Sequence, residues 1–185
     1  MTDGRWYWGV VVRVDSAHAL LTQIGALADG EQVRAQHPAT GHVTLFYAPL
    51  RGIEDAPALA ERARAITRDH GAFEVRCTGF DEFASPTRPV AWLGVDHGST
   101  QLHALRAALC ACDEDCHRHG FVPHLTLAYG EDPDAYAAVR EAIRGAVTDV
   151  EVVERVDALW VAGFPADGHP ARDLRYIERI PLTSD

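Results

Sequence analysis

The pattern His-x-Thr-Leu-x-Tyr occurs twice, as His42-Val-Thr-Leu-Phe-Tyr47 and His124-Leu-Thr-Leu-Ala-Tyr129. It falls once in each half of a 185-residue chain, and each time it opens a strand that stands between two helical segments. A six-residue match can arise by chance. A match in the same structural slot of both halves requires two copies of one unit, and that restricts the fold more than any other feature of the sequence.

The surrounding segments fit this repeat. Residues 6–14 are aromatic and β-branched and predict a strand. Ser16 is placed to cap a helix running to about Ala28, residues 30–41 read as a polar loop, and residues 41–49 form the first motif strand, stopped by Pro49. A helix over 56–70 ends at Gly71, and strands at 73–80 and 90–95 flank a loop with two prolines. The second half runs in the same order: a helix over 100–119, the motif strand 123–130, a helix over 133–147, and strands at 150–164 and 174–180 joined by a loop. No low-complexity linker divides the halves. The expected architecture is α+β: one bilobal domain spanning 1–185, with pseudo-twofold symmetry, mostly antiparallel sheets lining a central cleft, and helices outside.

Residues two apart in a strand share a face. His42 and Thr44 therefore project together, about 7 Å apart along the backbone, and so do His124 and Thr126. Val43, Leu45 and Tyr47, with Leu125, Leu127 and Tyr129, are expected on the opposite, core-facing side. If the two strands meet across the symmetry axis, two imidazoles and two hydroxyls line one cleft. Cleavage of a phosphodiester needs this set. A neutral imidazole takes a proton from water, a protonated one delivers a proton to the leaving oxygen, and the hydroxyls hold the non-bridging oxygens. Histidine suits both roles because its unperturbed pKa is about 6.5. The arrangement calls for no metal and no cofactor.

The two motifs, with Pro123-His-Leu-Thr-Leu-Ala following His119-Gly-Phe, resemble the paired signature of the 2H phosphoesterase superfamily. That group includes the LigT-like RNA 2′,3′-cyclic phosphodiesterases, historically called 2′-5′ RNA ligases. The resemblance implies a bilobal fold with a central cleft and metal-independent hydrolysis of 2′,3′-cyclic phosphates on small nucleotides or RNA 3′ ends. It implies His42 as the acid and His124 as the base, with Thr44 and Thr126 as phosphate-binding residues. RNA-end enzymes of the group often carry an arginine just after the second motif. Tyr129 and Gly130 stand there in this chain, and Ala48 and Pro49 follow the first motif.

Charge narrows the substrate. With 27 acidic and 17 basic residues the net charge is -10, a sign that repels the backbone of long nucleic acids but leaves a small pocket free to carry its own field. The expected partner is a small nucleotide or an RNA 3′ end, with no duplex and no membrane, and the chain is read as a cytoplasmic monomer whose four cysteines are reduced. A non-catalytic nucleotide-binding module using the same cleft is the alternative motivated by the missing arginines. A zinc protein is another, because Cys112, Cys116 and His119 share one helical face, although zinc sites usually draw ligands from two elements. Trp6 and Trp8 are expected in core packing. Phe83 and Arg88, with Phe164 and Arg172 as rough counterparts, read as solvated loops. His18, His37, His70, His97, His103 and His169 have no partner pattern and are assigned no role.

Overall fold

In a computed structural model, residues 5–28, 30–52, 55–111 and 120–183 are described. Nine strands and five α-helices follow one another there: β1 Arg5–Arg13, α1 His18–Ala28, β2 Val33–Ala35, β3 His42–Gly52, α2 Ala56–Thr67, β4 Phe73–Phe83, β5 Val90–His97, α3 Ser99–Cys110, β6 His124–Gly130, α4 Pro133–Val147, β7 Val152–Val156, β8 Ala158–Pro165, α5 Pro170–Asp173 and β9 Arg175–Pro181.

The strands form one curled antiparallel sheet in the order β7-β4-β5-β6-β3-β1-β8-β9, with β2 also paired to β6. The two motif strands, β6 and β3, meet at its centre with three further strands on each side. This is the expected duplication, but the two lobes are not the two halves of the sequence. β4 and β5 come from the first half and pair with β7 and β6 of the second. β8 and β9 come from the second half, and β8 pairs with β1 of the first. The exchange of strands explains why no linker is needed between the lobes: each is completed by the other half of the chain.

Helices cover the face away from the cleft. α1 packs on β2 and β6, α2 on β1, β8 and β9, α3 on β3 and β5, and α4 on β4 and β6. Each does so with apolar residues at helical spacing: Leu20, Leu21 and Ile24 in α1; Leu102, Leu105 and Leu109 in α3; Tyr136, Ile143 and Val147 in α4. α4 begins as its sequence dictates, with the Asp132 carboxylate accepting a hydrogen bond from Ala135 N–H and Pro133 in the first turn. α3 follows Gly98, whose φ of +79° and whose approach to the Glu74 carbonyl leave no room for a Cβ. Trp6 and Trp8 stack on each other, and Trp8 is buried in the core as expected.

Four readings of local structure are corrected. The loop 30–41 contains β2 and a 3-10 turn at Pro38–Thr40. Three residues of pairing partner, supplied by β6, make β2 a strand where local sequence alone gives a loop. Residues 150–164 are two strands, because the chain passes from β4 to β1 at Asp157, whose carbonyl is held by Leu182 N–H. β3 continues through Pro49 to Gly52. The proline is tolerated because the β1–β3 register shifts there, placing it at an irregularity where no ladder donor is required. Ser16 lies in a 3-10 turn ahead of α1, and its N–H is satisfied by Glu154 of β7.

Cys77 is a buried free thiol and Cys110 is disulfide-bonded, so the expectation of four reduced cysteines fails at Cys110. Cys112, Cys116 and His119 lie outside the described residues. No helix among the described residues is long and apolar enough to cross a membrane.

Candidate active site

β3 and β6 meet at the centre of the sheet through Val43 and Leu125, which pair in register and are fully buried. Their neighbours His42, Thr44, His124 and Thr126 therefore project from the opposite face, as a four-cornered set on two adjacent strands. Residues related diagonally across such a pair lie roughly 7–8 Å apart. The structure thus brings together all four side chains that the sequence singled out.

The two histidines are held alike. His42 Nδ1–H donates to the carbonyl of Thr40 at 2.7 Å, and His124 Nδ1–H donates to the carbonyl of Val122 at 2.7 Å. A carbonyl can only accept, so Nδ1 carries the hydrogen and Nε2 is the free basic nitrogen of each neutral ring. Burial pushes both imidazoles below the ordinary histidine range, opposed by these backbone bonds. His42 is also lowered by repulsion from His124, so the two rings are close enough to feel one another's charge. His42 is the more deeply set, at 9% exposure.

Support for His42 comes from the segment read as a loop. The buried Gln36 amide donates to the Thr40 carbonyl and to the Thr40 hydroxyl at 3.0 and 2.7 Å. Gln36 N–H donates to the Leu127 carbonyl at 2.8 Å. One residue thus ties the carbonyl that orients His42 to the strand that carries His124.

Tyr47 and Tyr129 are corrected from core to cleft. In the β1–β3 ladder Val11 pairs with Thr44 and Val10 with Phe46, leaving Leu45 as an extra residue. In the β5–β6 ladder Trp92 pairs with Thr126 and Ala91 with Ala128, leaving Leu127 as an extra residue. Each is a β-bulge, and a bulge shifts the alternation of faces by one. Phe46 and Ala128 turn into the core, and both tyrosines turn to the cleft side. The motif leucines are the bulged residues. The Leu45 carbonyl accepts from Arg106 at 2.7 Å, and the Leu127 carbonyl from Gln36.

A cavity of about 230 Å³ opens on the His42 side, lined by Tyr7, Gly9, His42, Thr44, Tyr47 and Tyr129 among others. Tyr7 stacks between Tyr47 at 5.7 Å and Phe164 at 5.1 Å. Phe164 is therefore part of a cleft wall rather than of a solvated loop. Gly9 forms part of the floor, where a Cβ would strike the Phe46 carbonyl at 2.7 Å. On the His124 side Phe83 stands edge-on to the imidazole at 4.9 Å, with Trp92 at 5.7 Å. Phe83 thus also leaves its expected place in a solvated loop. Thr126 is buried, while Thr44 lines the cavity.

Basic residues reach the cleft from β2 and from the β4–β5 loop. Arg34 of β2 pairs with Tyr129. Arg88 lies over the Tyr129 ring at 5.8 Å and bonds Glu131. Arg34 and Gln36 escaped the sequence reading; the one available signal was the alternation Val33-Arg34-Ala35, which is too short to stand out. His169 is buried, accepts from Ala171 N–H at Nδ1 and therefore donates from Nε2 to Glu131. Among the described residues no three potential ligands gather to hold a metal ion.

The 2′-5′ RNA ligase superfamily model matches residues 14–163. No curated protein matches the chain by sequence. Among solved structures, E. coli LigT in apo form aligns with a TM-score of 0.68 at 17% identity, covering 97% of this chain and 98% of LigT. LigT complexed with 3′-AMP aligns with a TM-score of 0.68 at 18% identity, covering 97% and 99%. Usb1 of Kluyveromyces marxianus aligns with a TM-score of 0.53 at 11% identity, covering 98% and 99%. At these identities the structures attest the fold, and the family match carries the assignment. The chain belongs to the 2′-5′ RNA ligase superfamily, within the 2H phosphoesterase group that its paired motifs resemble.

Proposed function

We propose that this chain is a phosphodiesterase that hydrolyses 2′,3′-cyclic phosphates of small nucleotides or RNA 3′ ends, using His42 and His124 as an acid–base pair within one bilobal domain. The observation that carries the reading is the matched pair of imidazoles. Both are fixed through Nδ1, so both leave Nε2 for proton transfer beside two threonines. E. coli LigT has been solved in complex with 3′-AMP, NADP+, phosphate and ATP, which supports a small nucleotide as ligand class.

In the reaction, the neutral imidazole accepts a proton from water at Nε2 as the water oxygen bonds to phosphorus. The bond from phosphorus to one ribose oxygen breaks, and the protonated imidazole delivers its Nε2 proton to that oxygen. Thr44 and Thr126 hold the non-bridging oxygens. These protein groups are the ones the reaction requires, so no metal or cofactor is part of the proposal.

Burial lowers both rings in the same direction, and the resemblance gives the two roles to tell apart, His42 as acid and His124 as base. A substrate with an activated leaving group separates the two, because it needs no acid: the variant lacking the acid keeps turnover on it, and the variant lacking the base does not.

The reading is tested by turnover of 2′,3′-cyclic nucleotides and short RNAs ending in a cyclic phosphate. Chelator is present, and wild type is compared with the His42→Ala, His124→Ala double variant. Cleavage by wild type alone is expected. Tight binding of a cyclic nucleotide recovered uncut would instead establish a binding module.

A further inference from the structure

β2 is only Val33–Ala35, yet it fixes the direction of Arg34. Val33 and Ala35 are buried in the core, so the residue between them projects from the cleft face of the sheet. Arg34 is in register with Tyr129 on β6, which is itself turned to the cleft by the bulge at Leu127. Tyr129 stands three residues beyond Thr126, so Arg34 lies about 10 Å along the strand from the corner that holds the phosphate. Arg88 reaches the same place from the β4–β5 loop and covers the Tyr129 ring.

The carboxylates at this end of the cleft are already engaged: Glu131 accepts two bonds from Arg88, at 3.1 and 2.8 Å, and one from His169 at 2.8 Å, and Asp173 accepts from His169 N–H at 2.6 Å. Arg34 has no ion pair among the described residues, and its Nε is buried without a hydrogen-bond partner. Burial lowers the His169 imidazole first. Glu131 raises it, and both Arg88 and Arg34 push it down again, so two guanidiniums act on one small patch. In a chain of net charge -10, two guanidiniums gathered at one end of the cleft favour an anionic group on the ligand. Guanidinium recognises phosphate through two parallel N–H bonds.

We infer that Arg34 and Arg88 form a second anion subsite at the β2–β6 end of the cleft, and that it takes a further phosphate of the substrate, beyond the one held between the histidines. The inference rests on the phosphodiesterase reading. The substrates it selects are nucleotides with a second phosphate on the 5′ side of the ribose whose 2′,3′-cyclic phosphate is opened.

Two measurements test it. The first is calorimetric binding of a nucleoside 3′-monophosphate and the matching 3′,5′-bisphosphate to the His42→Ala, His124→Ala protein, with and without Arg34→Gln, Arg34→Lys or Arg88→Gln. The bisphosphate is expected to bind at least about tenfold more tightly. Arg34→Gln should remove that advantage and leave monophosphate affinity unchanged, with part of it restored by Arg34→Lys. Arg88→Gln, a change in an exposed loop residue, should lessen it. The second is kcat/KM of wild type on a 2′,3′-cyclic nucleotide with and without a 5′-phosphate, where the same preference should appear. Equal binding of the two ligands overturns the subsite while leaving the phosphodiesterase reading intact, and so does an equal loss of both in Arg34→Gln. Binding of neither ligand, with no turnover by wild type, overturns the phosphodiesterase reading and the subsite with it.

Discussion

Leu45 and Leu127 are the extra residues of two matching β-bulges, each three positions after its histidine. The same irregularity in both copies turns a tyrosine to the cleft side, and each bulged carbonyl is satisfied from outside its own ladder, by Arg106 in one copy and by Gln36 in the other. Replacing Arg106 with methionine keeps much of the packing volume but leaves the Leu45 carbonyl without this donor. A loss of about 2 kcal/mol is expected, as for a hydrogen bond from a charged group, read from the urea midpoint at constant slope. No change in midpoint would show that the bulge needs no such support.

Removal of either imidazole tests the chemistry. His42→Ala and His124→Ala should each lower kcat by roughly a hundred- to ten-thousandfold with the folded spectrum retained. Because the two rings act as one unit, the double variant should be little worse than the poorer single one. A double variant as active as wild type would remove the histidines from the mechanism.

Burial also sets the pH dependence. The active form holds one proton between the two rings, so kcat/KM follows a bell whose limbs belong to the pair. Both imidazoles are lowered, so the optimum for the free enzyme should fall below about 6.5. Stability follows the same sign. Below about pH 6.5 the unfolded chain takes up protons that the folded rings refuse, so folding stability falls until the folded groups protonate as well. The His42→Gln, His124→Gln double variant should lose less stability than wild type between neutral pH and pH 5 in matched thermal melts. Parallel curves would contradict the burial argument.

Gln36 is the residue that a sequence reading had no reason to choose. Its side chain holds the Thr40 carbonyl that orients His42. Gln36→Ala should lower kcat about tenfold or more with little change in KM, because a misdirected Nε2 impairs proton transfer rather than binding. Gln36→Glu keeps an acceptor where a donor is needed and should not rescue. A rise in KM alone would place the residue in binding instead.

Thr44 and Thr126 are not equivalent despite their equal spacing from the histidines. Thr44 lines the open cavity, whereas Thr126 is buried. Thr44→Val should therefore lower kcat/KM more than Thr126→Val. Identical losses in kcat/KM for the two variants would erase the asymmetry.

The repeated motif was enough to set the α+β duplication, the strand identity of the two histidine segments and the grouping of His42, Thr44, His124 and Thr126. These depend on two local facts: side chains two apart in a strand share a face, and like segments fold alike. The tertiary structure decided the rest, because it depends on which strands lie side by side. Pairing with β6 makes a strand of Val33–Ala35 and so brings Arg34 to the cleft. A shift of register at Leu45 and at Leu127 reverses the face on which Tyr47 and Tyr129 sit. The turn at Asp157 sends one apparent strand into both lobes. Each is a choice of partner made across long stretches of chain, and local sequence pattern carries no record of the partner.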